Sequence, residues 1–177
     1  GDHQWLETPQ YGVLRVVGRL PSCPRVAIVG ARRADPKGIA LAQRIAQSAV
    51  DAGYAVVSGG ALGIDAAAHR TTIAAGGLGV VVFGSGLETR SPRRNLELFS
   101  EIRQTGAWVS PFPCEAPPTP WRFPLRNPWI AALSDMIIVV QAGARSGALQ
   151  TARAGLSMNR PVYAVPGNMD DPLHEGC

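Results

Sequence analysis

Apolar residues in this chain fall in short unbroken runs, and most runs close at a glycine: 26–30, 56–60, 80–84, 137–143 and 162–167. Strands buried on both faces are apolar at every position, whereas half-exposed strands alternate. The runs therefore predict a mostly parallel sheet covered on both sides. Between them the pattern takes the helical period. Ile39, Ala42, Ile45, Ala46 and Ala49 share one face. Asp35 precedes them as an N-cap, Pro36 suits the first helical position, and Gly53 follows the end. Strands are predicted over 11–18, 25–29, 54–57, 79–83, 107–109, 136–140 and 162–165. Helices are predicted over 64–75, 92–104, 128–133 and 147–159, with Leu98 and Ile102 inward in the second of these. The strand at 11–18 is expected at a sheet edge, and residues 1–10 are expected to be irregular. The proline-rich segment 110–127 is expected to be a loop, because proline excludes regular helix and central strand. The tail from 170 reads as polar and irregular. The fold class is α/β: a Rossmann-like three-layer fold with helices on both faces of the sheet. A chain of 177 residues forms a single domain with a full core.

On such sheets, ligands bind outside the carboxyl ends of the strands. The glycine loops lie at that edge, and several hold or adjoin an arginine. The stretch 56–69 is the fullest example. A strand breaks at Ser58-Gly59-Gly60, passes Gly63 and enters a helix carrying Asp65 and His69. Glycine-rich strand-to-helix turns let backbone N–H groups approach phosphates. Asp65 and His69 lie one helical turn apart, but no third partner or nucleophile accompanies them, so the pair reads as helix structure. Gly30-Ala31-Arg32-Arg33 is not GxGxxG, and no acidic residue ends the following strand to hold a ribose, which argues against a dinucleotide site. Gly84-Ser85-Gly86 followed by Arg90, Arg93 and Arg94 reads either as an anion-binding loop or as a solvated turn. Ser146 between Arg145 and Gly147 reads as a phosphate contact or a plain N-cap. Trp121, Arg122, Phe123 and Arg126 interleave aromatics with arginines as in a base-stacking surface; one aromatic is expected to pin the loop, and the role of the other stays open.

Composition narrows the partner. The net charge is +4, and Lys37 is the one lysine among 17 basic residues, so an anionic partner is favoured. Cys23, Cys114 and Cys177 form no CxxC, so neither a zinc site nor a disulfide framework is indicated, as suits a reducing cytoplasm. No stretch approaches a membrane span, and no membrane partner is expected. No paired carboxylates, HExxH or GxSxG occur. Catalytic residues, metal and cofactor are therefore all expected to be none.

AIVGARR, SGGALGIDAAAH, VFGSGLE, SPRRN, PWRFPLRN, LSD, RSGALQTA and VYAVPGN occur in this order over nearly the whole chain. Together they resemble the DprA/Smf family, the DNA-processing proteins of natural transformation (competence) and recombination. The resemblance implies a non-enzymatic single-stranded DNA-binding protein that is cytoplasmic, forms a homodimer, protects incoming strands and helps load RecA recombinase. It also implies a DNA pocket at Gly30, Arg32, Ser58, Gly59, Gly60, Gly63, Gly84, Ser85, Gly86, Arg126, Asn127, Arg145, Ser146 and Gly147, beside which the residue reading sets Arg93. The family usually has arginine where Leu62 stands, glutamate at Pro111 and a basic residue at Pro128. The extra helical and winged-helix-like domains of many members are not expected in residues 1–177. The alternative is a nucleotide-binding sensor, or an enzyme similar to the cytokinin-activating phosphoribohydrolases, using the same crevice. That family's catalytic glutamate falls where this chain has Ala152 or its neighbour Gln150, neither an acid nor a base.

Overall fold

The computed structural model describes residues 3–8, 12–168 and 170–177, with backbone alone for 3–8. The strands are β1 (His3–Thr8), β2 (Gly12–Gly18), β3 (Arg25–Val29), β4 (Ala55–Ser58), β5 (Gly79–Val82), β6 (Ala107–Ser110), β7 (Met136–Val139) and β8 (Val162–Ala164). The helices are α1 (Pro36–Asp51), α2 (Ile64–Ala74), α3 (Leu96–Thr105), α4 (Arg122–Ala132) and α5 (Gly147–Ser157), with a 3-10 turn at Arg93–Asn95 before α3. The sheet order is β1-β2-β6-β5-β4-β3-β7-β8. From β6 to β8 every pairing is parallel; β1 and β2 are antiparallel. The α/β, Rossmann-like class follows.

The continuous runs are buried as expected. All four residues of β4, of β5 and of β6 are buried, because helices cover both faces. Val26, Ile28 and Val56 pack with Ala42, Ala46 and Ile64 beneath α1 and α2, and Val81 packs with Leu98, Phe99 and Ile102 of α3. On the opposite face Trp129 and Ile130 of α4 and Ala148 and Ala152 of α5 cover Ala27, Val57 and Val139.

Three expectations change. The strand at 11–18 is not at an edge: β2 pairs with β6 on one side and β1 on the other, from His3↔Val17 to Thr8↔Gly12. Accordingly 3–8 is not irregular; backbone pairing, without an apolar run to announce it, makes it a strand. Tyr11 and residues 1, 2, 9 and 10 lie outside the described residues. Finally, α4 begins at Arg122 inside the segment expected to be a loop, not at 128. Pro124 falls in the first turn, where its missing N–H has no intrahelical partner to lose, so that proline leaves the helix start intact.

Candidate nucleic-acid interface

From β3 the chain steps through β4, β5 and β6 in one direction, then returns to place β7 on the other side of β3. The chain thus leaves β3 and β7 toward opposite faces of the sheet, and the loops that follow them open a crevice where ligands bind on such sheets. A cleft of about 760 Å³ lies there. One wall is the loop after β3, with Gly30, Ala31 and Arg32; another is the loop after β7 and the start of α5, with Arg145, Ser146, Gly147 and Gln150. Pro120, Phe123, Pro124, Arg126 and Asn127 form the third.

Close backbone approach shapes the first wall. A Cβ on Gly30 would stand 2.6 Å from the Ile64 side chain and 2.9 Å from the Gln141 carbonyl. The Ala31 N–H donates to that carbonyl at 2.6 Å, tying the ends of β3 and β7 together. Gly63 has φ +78° and meets the Ala31 carbonyl so closely that a Cβ would lie 2.3 Å from it.

Arg126 links the walls from beneath. α4 turns it inward, leaving it 3% exposed. Its guanidinium donates to the Gly59 carbonyl at 2.7 Å and to the Val82 carbonyl, the ends of β4 and β5. Asp65 is buried with it and accepts from the Gly59 and Ala61 N–H groups at 3.1 and 3.3 Å. Burial lowers the Arg126 pKa to about 10; the Asp65 carboxylate opposes that shift, and Arg32 adds to it by repulsion. Burial also pushes the Asp65 carboxyl above its ordinary range, against the pull of Arg126 and the two amides. The turn amides that the sequence offered to an anion are thus partly taken by the chain's own carboxylate.

Asn127 holds α4 to α5, donating to the Gly147 carbonyl at 3.2 Å and to Gln150 Oε1 at 3.0 Å. Ser146 caps α5 by accepting from the Ala148 N–H at 3.3 Å. Above this frame Arg32 and Arg145 are exposed. Neither pairs with a carboxylate among the described residues. The Arg32 guanidinium lies 4.9 Å over the Phe123 ring. The exposed charge therefore faces an open cleft whose floor is held by buried hydrogen bonds.

The expected site residues divide accordingly. Gly30, Arg32, Arg126, Asn127, Arg145, Ser146 and Gly147 line the cleft together. Ser58, Gly59 and Gly60 are buried behind it; Ser58 Oγ donates to the Ile28 carbonyl at 2.7 Å. Gly63 braces the first wall. Gly84 backs onto the Phe123 ring, and Gly86 donates to the Ala116 carbonyl at 2.8 Å, so both sit under the proline-rich segment with the buried Ser85. Arg93 is exposed on the 3-10 turn and does not line the cleft. Glu175 lines the cleft although it lies in the tail expected to be polar and irregular. The Gly176 N–H donates to the Ala142 carbonyl at 2.8 Å, a long-range contact without a local signal. Among the described residues no cluster of His, Cys, Asp and Glu could hold a metal, and no helix is long and apolar enough to cross a membrane.

Residues 9–177 match the family described as DNA recombination-mediator protein A. Protein Smf of Escherichia coli is 38% identical over 98% of this chain and 47% of its own length; the chain spans about half the length of the curated relatives it matches. The crystal structure of DNA processing protein A from Streptococcus pneumoniae superposes with a TM-score of 0.88 at 34% identity, over 94% of this chain and 59% of that one. DNA processing protein A from Helicobacter pylori, whose structure is described in terms of its single-stranded DNA binding mode, gives 0.84 at 27% identity, over 97% and 84%.

Proposed function

The chain belongs to the DNA recombination-mediator protein A family, and we propose that it binds single-stranded DNA in the cleft between β3 and β7. The observation that carries this reading is the placement of Arg32 and Arg145, both exposed and without carboxylate partners, on opposing walls of one cleft. Arginine holds phosphate through a planar fork, and the first turn of α5 adds the positive end of a helix dipole. A strand laid across the switch point meets both arginines, with Gly30, Ser146 and Gly147 presenting backbone between them. Arg126 and Asn127 act from below by fixing the walls. Ser58, Gly59, Gly60, Gly63, Gly84, Ser85 and Gly86 shape the support behind them, and Arg93 extends the basic surface.

The protein acts by binding and not by catalysis. Gln150 is bonded to Asn127 and Ala152 is buried, so the helix start that a nucleotide hydrolase would need offers no acid. In the cell the bound strand is protected and passed to RecA recombinase, by a cytoplasmic homodimer acting in transformation and recombination. The relatives' description as DNA-processing proteins supports that role. Anisotropy titration of labelled oligo-dT against a duplex of equal length tests the binding. Tighter binding of the single strand, undisturbed by AMP, is expected. Equal or better duplex binding, or displacement by AMP, overturns the reading.

A further inference from the structure

We infer that Trp121 is a base-stacking platform that carries the single-stranded DNA path outward from the cleft; this rests on the reading of the cleft proposed above. The sequence interleaves aromatics and arginines over 121–126 without saying which ring is free. The tertiary structure separates them. Phe123 is the pin: its ring lies so close to Gly84 that a Cβ there would stand 2.6 Å away, and it sits between the Arg32 and Arg126 guanidinium groups at 4.9 and 5.9 Å. Trp121 stands at the start of α4 and is 56% exposed.

That exposure is ordered on one side. The Arg122 guanidinium lies 4.5 Å from the Trp121 ring centroid, and Phe112 meets the indole edge-on at 6.4 Å and 82°. Arg122 is itself anchored, donating to the Pro117 carbonyl and to Thr119 Oγ1 at 3.2 Å, and lies 5.6 Å from the Phe112 ring. The indole is therefore backed by a fixed cation and touched by Phe112, while 56% of the residue stays open to solvent. Leu125, one turn along α4, is 57% exposed and widens the apolar surface.

The occupant follows from position and charge. Pro120 on one side of Trp121, and Phe123 and Pro124 on the other, line the cleft, so the platform is continuous with the proposed path. The backing group is a cation with no carboxylate partner among the described residues, which favours an anionic polymer over an acidic-pocket peptide anchor. Every base has a π-face, so a single exposed indole adds affinity without sequence preference.

Intrinsic fluorescence during an oligo-dT titration tests the platform. Trp108 and Trp129 are buried, and a Trp5→Phe background removes the remaining indole. In that background, quenching that saturates with oligo-dT binding is expected. Trp121→Ala and Trp121→Leu should each weaken binding about tenfold, and Trp121→Phe should keep most of the affinity. Unquenched emission together with unchanged affinity of Trp121→Ala, while the parent binds oligo-dT, overturns the platform and leaves the cleft reading standing. Failure of the parent to bind oligo-dT removes both. If Trp121→Ala does not fold, quenching in the folded Trp5→Phe protein decides alone. Self-association that Trp121→Ala abolishes, without any effect on oligo-dT, assigns the ring to a second copy and also overturns the inference.

Discussion

Arg126 and Arg145 are both arginines lining the same cleft, yet their environments assign them opposite roles. Arg126 is 3% exposed and satisfies two buried carbonyls beside a buried carboxylate. Removing one partner from such a set leaves the others uncompensated, so Arg126→Ala should lower stability by about 3–5 kcal/mol, read from urea denaturation. Binding would then fall only because the walls move. Arg145 is exposed and has no carboxylate partner among the described residues. Arg145→Ala should leave the urea midpoint in place and weaken oligo-dT binding about ten- to a hundredfold in anisotropy, the worth of a charge-assisted contact. Arg19→Ala, exposed beyond the end of β2, should do neither. Loss of stability in Arg145→Ala would make that residue a brace instead.

At the scale of the element, α2 is the least amphipathic helix to place: Ile64 through His69 are all buried, so it is covered on nearly every side. Its start depends on Gly63, whose φ of +78° and ψ of −127° belong to a region that L side chains rarely enter. Gly63→Ala adds a Cβ 2.3 Å from the Ala31 carbonyl. A loss of at least about 1–3 kcal/mol in urea denaturation is expected from the backbone conformation alone. His69 makes the same helix pH-sensitive. Burial lowers its pKa from 6.5 to about 4; the neighbouring Ser58 backbone opposes this weakly, and neither ring nitrogen has a hydrogen-bond partner among the described residues. The unfolded chain therefore binds the proton first as pH falls. Stability is full above about pH 6.5 and declines toward pH 4, by on the order of 3 kcal/mol from this group. His69→Leu should flatten that part of a stability–pH profile; Asp35 and Asp171, whose pKa values are lowered from 3.8 chiefly by backbone hydrogen bonds, act below this window, so an unchanged slope overturns the assignment to His69.

For the whole molecule, binding through arginine at an open cleft is a counterion-release process. The affinity for oligo-dT should fall linearly in log–log form with salt, with a slope of roughly −0.7 per phosphate neutralised. Arg32 and Arg145 together predict a slope near −1.4 or steeper, and Arg145→Ala should make it shallower by about 0.7. The Glu175 carboxylate lines the same cleft and repels the same phosphates, so Glu175→Gln should tighten binding at low salt. A salt-independent affinity points instead to an enclosed small-ligand site.

Sequence alone determined the class of fold, because burial on both faces demands unbroken apolar runs and the chain shows them at β3, β4, β5 and β7. It also determined two helix starts, since the caps are local: Asp35 accepts from the Gly38 N–H at 2.6 Å, and Ser146 caps α5 as one of its two readings held. The ordered motifs carried the family. What pattern did not carry is whatever depends on partners distant in the chain. β1 exists because β2 offers it a pairing edge, and α4 begins among prolines because its first turn needs few N–H donors. Which of two adjacent aromatics is pinned was settled by Gly84, 39 residues from Phe123 in sequence and in contact with it in space. The same holds for the arginines: residue type makes each a possible phosphate ligand, and only packing decides that Arg126 is turned to carbonyls while Arg32 and Arg145 face the solvent. Side-chain orientation across a switch point is fixed by strand order, and strand order is a property of the assembled sheet.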